Sequence, residues 1–193
     1  MRRLERTRDT VIGHGEFADV IRTDDGRVVK LFRRVDAFDD LPNPADNETL
    51  IRVAWDEEAA HYELLQHTPE LAVYAPEYFG RCVVAAVVDN GGSSVLSEYV
   101  PDCAFELEMV PGQAKKLWDL PRDVQAQVNA VRDRLQLIGL RQTSDASVFV
   151  PGSRAEFTLI DFASLRNWLD LVHYVRQNRG LPQHVRQRWS SLP

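Results

Sequence analysis

Two turn signals close together in residues 9–34 most constrain the fold of this 193-residue chain. Gly13 and Gly15 lie between two short stretches of strand-like sequence, and Thr23-Asp-Asp-Gly26 precedes a third, Arg27-Val-Val-Lys-Leu-Phe32. An Asp-Gly turn flanked by β-branched residues is a strong hairpin signal. The segment therefore predicts three consecutive strands joined by tight turns.

The next part of the chain indicates one helix and two further strands. Residues 35–48 are polar and contain two prolines, which predicts a loop. From residue 49 to 67 apolar side chains recur at the spacing of an amphipathic helix. Strands are expected at 81–88 and 94–100, because Asp89-Asn-Gly-Gly92 between them is a turn sequence. Together with the first three strands, they predict a five-stranded antiparallel sheet with one helix.

The remainder of the chain is predicted to be mainly helical. Apolar residues at helical spacing indicate a helix over 121–138. Two short strands are expected at 148–150 and 157–160, because a Pro-Gly turn lies between them. A further helix is predicted from 165 to 177.

The predicted fold class is α+β. We expect a single domain over residues 1–193, with a strand-rich lobe at 9–100 and a smaller, mainly helical lobe at 101–193. A chain of this length can bury one substantial core, but two large independent domains are not expected. Its apolar content of 44% and charged content of 27% are typical of globular proteins.

Charge and cysteine content exclude several classes of function. A net charge of -6 argues against a general nucleic-acid binder. The two cysteines, Cys82 and Cys103, form no zinc-binding pattern or disulfide framework, and no apolar run is long enough to cross a bilayer. We therefore expect a cytoplasmic protein without a membrane span. Arginines are concentrated after Asp161, where they form either a solvated helix face or a surface for an acidic partner.

The glycine turn and the strand after it contain candidate phosphate-binding residues. Gly13 and Gly15, with Ala18 as a third small residue, allow the backbone to approach phosphate oxygens. Val20 is placed to cover one face of an adenine ring. Lys30 is one of three lysines in a chain with twenty arginines, and its compact ammonium suits the α- and β-phosphates of a nucleotide.

Carboxylates elsewhere complete the candidate site. Glu58 is the expected helix partner of Lys30, because Tyr62 and Leu65 follow it along one helix face; Glu57 is the alternative. Asp161 ends an apolar strand, where a carboxylate is costly to bury without a cation, so it is a candidate Mg²⁺ ligand. Ser97-Glu-Tyr-Val100 is expected to end the last strand of the first lobe, with the Glu98 carbonyl and the Val100 amide facing an adenine edge.

These motifs, in this order, resemble those of the protein-kinase-like superfamily. The small size of the chain is similar to that of the minimal kinase-like effectors of type III-secreting bacteria. The likeness covers residues 9–165. Its motifs are Gly13-x-Gly15-x-x-Ala18-x-Val20 as the glycine loop, Lys30 as the phosphate lysine, Glu58 as its partner, Pro76-Glu-Tyr-Phe-Gly80 before the fourth strand, Glu98 to Val100 as the hinge, and Asp161-Phe-Ala163 in place of Asp-Phe-Gly.

The resemblance implies a bilobal fold, with ATP and Mg²⁺ as cofactors, but the catalytic loop departs from the family pattern. Gln142 or Ser144 stands where the family has its catalytic aspartate, depending on which end of the loop sets the alignment, and Ser147 replaces the usual asparagine. Asp145 is the nearby acid that remains. Its carboxylate would take the role of general base in an active enzyme.

Three functions are compatible with this pattern. The first is an ATP-binding pseudokinase or atypical kinase that acts on or through a protein partner, in the cytoplasm or, for a secreted effector, in a host cytoplasm. The second is an active minimal Ser/Thr-type protein kinase that uses Asp145 or another group in place of the catalytic aspartate, since positioning and charge supply most of phosphoryl-transfer catalysis. The third is an interaction module that binds no nucleotide and uses its arginine-rich end.

Overall fold

The computed structural model of the chain describes residues 1–15, 17–34, 44–140 and 147–162, with Gln177, Gln183 and Gln187. The strands are β1 (Arg2–Arg6), β2 (Val11–His14), β3 (Ala18–Arg22), β4 (Arg27–Arg33), β5 (Tyr78–Cys82), β6 (Val84–Asp89), β7 (Tyr99–Glu108), β8 (Ala114–Lys116), β9 (Ser147–Phe149) and β10 (Thr158–Leu159). The helices are α1 (Pro44–Gln66), α2 (Pro69–Ala72) and α3 (Arg122–Leu137).

The largest sheet has five strands in the order β2-β3-β4-β7-β5. The first three strands pair antiparallel through the two turns that the sequence identified. An α+β fold with a five-stranded antiparallel sheet is thereby confirmed. Two of the predicted strands, however, have different boundaries and different neighbours from those expected.

The predicted strand at 81–88 is wrong only in being continuous, because the chain forms two strands there, β5 (Tyr78–Cys82) and β6 (Val84–Asp89). It breaks at Val83, whose side chain is 45% exposed. The first piece, β5, joins the large sheet, while β6 pairs parallel with the N-terminal strand β1. Leu4, Val84 and Val87 from this pair are buried against the large sheet. The chain leaves that sheet after β5 because β6, paired with β1, then covers one of its apolar faces.

The predicted strand at 94–100 is also wrong. Residues Leu96–Glu98 form a short 3₁₀ turn, and the strand β7 begins at Tyr99 and continues to Glu108. This strand was expected to end at Val100, directly before Pro101. The apolar run that follows it, Cys103 to Phe105, is fully buried, and that burial favours continuation of the strand through the proline.

Helix α1 starts earlier than the sequence pattern indicated. It begins at Pro44, five residues before the predicted start, since proline is tolerated in the first turn of a helix. Leu50, Ile51 and Trp55 on its first half are buried. The indole Nε1 of Trp55 donates a hydrogen bond to the carbonyl oxygen of Ala104 at 3.2 Å, which fixes this half of the helix on β7.

The described residues divide into two compact units, 1–56 with 79–107, and 57–78 with 108–162. In the second unit, β8, β9 and β10 form an antiparallel sheet in the order β10-β9-β8. The predicted helix at 121–138 and the two predicted short strands are confirmed as α3, β9 and β10. The predicted helix at 165–177 lies, except for Gln177, outside the described residues.

Candidate functional site

In the first unit, three of the predicted site residues lie in one row across the sheet. Gly13 on β2 is paired with Val20 on β3, and Val20 is paired with Lys30 on β4. Paired residues point to the same face of a sheet, so this row presents a gap, an isopropyl group and an ammonium side by side. A Cβ atom on Gly13 would lie 3.3 Å from the Cβ of Val20, which explains the glycine.

The turn after Gly13 is held closed by backbone contacts. The amide of Gly15 donates a hydrogen bond to the carbonyl oxygen of Ala18 at 2.9 Å. A Cβ on Gly15 would lie 3.3 Å from the same oxygen, so a larger residue would crowd the turn. Gly15 and Ala18 therefore serve the tight geometry that the sequence predicted; Glu16 between them lies outside the described residues.

In the second unit, the two predicted carboxylates lie around one buried tyrosine. Glu58 on α1 is 3% exposed, and Tyr62 follows it by one helical turn. Burial raises the pKa of the Tyr62 hydroxyl well above its usual range, and the charges of Glu58 and Asp161 raise it further. A hydrogen bond with the Asp161 backbone acts in the opposite direction. Tyr62 thus remains a neutral phenol close to both acids.

Asp161 has an unusual backbone conformation. It lies two residues after the end of β10. Its φ of 64° is in the left-handed region, which glycine adopts far more readily than other residues. The next residue, Phe162, is 1% exposed, and its ring meets the Tyr62 ring edge-on, with centroids 5.2 Å apart and planes at 84°. Strained backbone of this kind occurs preferentially at functional sites.

Lys30 belongs to the first unit, whereas Glu58 and Asp161 belong to the second. Within the second unit Glu57, the alternative partner, is half-buried. The greater burial of Glu58 favours it, since a buried carboxylate needs a cation or hydrogen-bond donors to offset its desolvation. The pairing of Lys30 with Glu58 remains a prediction.

The predicted hinge at Glu98 and Val100 stays a prediction; Glu98 lies directly before β7 and Val100 lies within it. The Glu98 carbonyl accepts a hydrogen bond from the Arg34 amide at 2.9 Å. The Glu98 carboxylate forms an ion pair with Arg6 at 2.5 Å, and Val100 is fully buried.

The end of β7 carries a second copy of the same sequence pattern, which sequence reasoning missed. Glu98-Tyr-Val-Pro101 and Glu108-Met-Val-Pro111 both read Glu-x-Val-Pro, but the second copy lies where the strand ends. The Gly112 that follows, with φ of 95°, was the signal that distinguishes them, because glycine marks a change of chain direction. Only the second copy therefore marks the end of a strand.

The candidate catalytic loop lies outside the described residues. Asp145, Gln142 and Ser144 all fall within 141–146, so the predicted role of Asp145 stays a prediction. The arginine-rich segment after Asp161 likewise lies outside them, apart from the three glutamines named above.

The magnesium site stays a prediction, in which a carboxylate of the second unit would bind the ion together with phosphate oxygens. Mg²⁺ binds one or two carboxylates and completes its shell with water and phosphate oxygens, so a full protein cage is not needed. Asp161 would be the ligand, with Glu58 near it. In the described part of the chain, no three His, Cys, Asp or Glu side chains form a metal-binding group.

No family model matches this sequence, and no curated protein matches it. The likeness to protein-kinase-like proteins therefore stays a prediction from its motifs. No helix among the described residues is both long and apolar enough to cross a membrane.

Proposed function

We propose that the protein binds ATP with Mg²⁺ in a protein-kinase-like arrangement, and that it acts as a pseudokinase or atypical kinase on or through a protein partner. In this proposal residues 9–100 form the N-lobe of such a fold and residues 101–193 form a minimal C-lobe. The observation that carries the proposal is the cross-strand row of Gly13, Val20 and Lys30.

Each residue of this row has a distinct part in the proposal. The missing side chain at Gly13 lets the backbone approach phosphate, Val20 covers the base, and the ammonium of Lys30 neutralises phosphate charge. Asp161, held in its left-handed conformation in the second unit, supplies the carboxylate for the metal. When bound, Mg²⁺ would stabilise charge on the β- and γ-phosphates.

Thermal unfolding of the full chain tests nucleotide binding. We expect Mg²⁺ with ATP to raise Tm, because a ligand at about 100 times its Kd stabilises a protein by about 2.7 kcal/mol. Lys30→Met should abolish this shift, whereas Lys115→Met, at an exposed lysine of β8, should retain it. Asp161→Asn should lose the part of the Tm shift that depends on Mg²⁺, and Asp119→Asn, at an exposed position, is its control. A chain that no nucleotide stabilises would contradict the proposal and favour the interaction module.

Transfer of radiolabelled γ-phosphate to added protein separates the two kinase-like functions. Binding without transfer supports a pseudokinase. Transfer that requires both Asp161 and Asp145 supports an active minimal kinase, because loss of a general base typically costs about 10²- to 10⁴-fold in rate. Transfer that survives Asp145→Ala would show that another group positions the acceptor.

A further inference from the structure

The face of the hairpin opposite to the Gly13 row carries a buried carboxylate. On this face His14 on β2 is paired with Asp19 on β3, and Asp19 is paired with Leu31 on β4. Asp19 is completely buried. A buried aspartate within a short strand is unfavourable both for strand propensity and for desolvation, so its position calls for a specific role.

Both oxygens of Asp19 have partners. Its Oδ2 accepts a hydrogen bond from the Tyr99 hydroxyl at 2.7 Å and lies 3.8 Å from Nε of Arg6 on β1. Its Oδ1 lies 2.5 Å from Nδ1 of His14. Burial raises the pKa of Tyr99, and the hydrogen bond to Asp19 raises it further, so the hydroxyl keeps the proton that it donates. The carboxylate is therefore fixed from three sides.

The His14 imidazole extends this network to the glycine turn. Nη1 of Arg33 lies 3.1 Å from Nε2 of His14, and because a guanidinium only donates, Nε2 must accept. The proton of the neutral ring is then on Nδ1, from which it is donated to Asp19. The other terminal nitrogen of Arg33, Nη2, donates to the carbonyl oxygen of Gly15 at 2.6 Å.

We propose that Asp19 is a positioning residue, which holds the turn from Gly13 to Gly15 in one conformation through His14 and Arg33. The turn would thus be ordered before a ligand binds, by contacts on the face that the ligand does not touch. Preorganisation of this kind raises affinity because less conformational entropy is lost on binding. The predicted effect on nucleotide affinity rests on the proposed function, whereas the effect on the turn itself does not.

Nuclear magnetic resonance of the full chain without nucleotide tests the positioning role. In the wild type we expect His14 to be the Nδ1–H tautomer and the Gly15 amide to exchange slowly with solvent. Asp19→Ala should abolish the preference of His14 for the Nδ1–H tautomer. It should also raise the exchange rate of the Gly15 amide about tenfold, as expected for the loss of one hydrogen bond. Asp19→Asn should retain much of the protection, because its side-chain oxygen still accepts from Nδ1–H. Asp24→Asn, at an exposed position of the next turn, is the control.

His14→Ala keeps the test decisive if Asp19→Ala does not fold. The His14 side chain is 58% exposed, so its truncation leaves the core intact, and it should raise Gly15 exchange as Asp19→Ala does. An Nε2–H tautomer in the wild type, or unchanged Gly15 exchange in His14→Ala, would overturn the positioning role.

Titration with Mg²⁺ and ATP adds a separate measurement. His14→Ala should weaken binding about tenfold while Asp24→Asn leaves it unchanged. If no variant and no wild-type chain binds ATP, the proposed function fails, and the nuclear magnetic resonance results alone decide whether Asp19 positions the turn.

Discussion

The imidazole of His61 on α1 donates a hydrogen bond from Nδ1 to the backbone carbonyl oxygen of Phe162. The next residue along the helix, Tyr62, packs against the ring of the same phenylalanine. Two consecutive helix residues thus hold the backbone and the side chain of the residue that follows Asp161. The conformation of Asp161 therefore depends on contacts made by α1.

Truncation of His61 should destabilise the fold. His61→Ala leaves a carbonyl in the protein interior without its donor, and the expected loss is about 1–3 kcal/mol in the free energy of unfolding. Urea denaturation measures this loss. His67→Ala, at an exposed position near the end of the same segment, should change the free energy by less than about 0.5 kcal/mol. Equal effects of the two substitutions would contradict the role of the hydrogen bond.

Stability should also fall in mild acid because of His61. Burial lowers its pKa below the ordinary value of 6.5, and the hydrogen bond to Phe162 only partly opposes this. The unfolded chain therefore binds a proton here more readily than the folded one. The stability that depends on an uncharged His61 is fully present above pH 6.5. It is lost as the pH falls from 6.5 through the lower pKa of His61 in the folded state. Urea titrations across this range should show a weaker pH dependence in His61→Ala than in His67→Ala.

Replacement of Asp161 by glycine should be less harmful to stability than replacement by alanine. Alanine keeps the Cβ that disfavours a φ of 64°, whereas glycine removes it. We expect the free energy of unfolding, measured by urea denaturation, to be about 1 kcal/mol higher for Asp161→Gly than for Asp161→Ala. Both variants should lose the Mg²⁺-dependent shift in Tm. Equal stabilities would mean that the backbone relaxes out of the left-handed region.

The close contact between Gly13 and Val20 should appear as an energetic coupling. Gly13→Ala crowds Val20, and overpacking of this type costs about 1–3 kcal/mol. In a Val20→Ala background the added methyl has room, so Gly13→Ala should cost at least about 0.5 kcal/mol less there. A double-mutant cycle from thermal unfolding measures the difference. Gly91→Ala, whose added Cβ would make an ordinary contact at 3.4 Å, should show no coupling with Val20→Ala.

Both thiols should be unreactive in the folded chain. Burial raises the pKa of Cys82 to about 11 and that of Cys103 to about 12, so almost no thiolate is present near neutral pH. Iodoacetamide at pH 8 should modify both cysteines rapidly in urea and slowly without it, as followed by mass spectrometry. Fast labelling of native Cys103 would show that the strand β7 opens locally.

The sequence was sufficient for the parts of the fold that depend on local signals. The turn at Thr23 to Gly26 determined the β3–β4 hairpin, and helical spacing identified α1 and α3. The register that aligns Gly13, Val20 and Lys30 was not predicted, and it includes a shift between Val11 and Gly13.

Features that depend on tertiary contacts were not predictable in this way. Residues 98–101 and 108–111 carry the same local pattern, and only the pairing of β7 within the sheet determines which one ends a strand. Asp19 is a polar residue within a predicted hairpin, and nothing in the local pattern marks it as buried. Its carboxylate contacts Arg6 of β1 and Tyr99 of β7, and Tyr99 is 80 residues away along the chain.

Successive side chains of β3 point to opposite faces of the sheet, and this limits where the hairpin can change in length. Val20 faces the side proposed for ligand, and Asp19, one residue earlier, faces the buried network. A single-residue insertion or deletion inside β3 would exchange these faces, placing a carboxylate beside Lys30 and an isopropyl group against Tyr99. Natural variants should therefore differ in length at the exposed turn around Asp24, while the distance from Gly13 to Val20 stays constant.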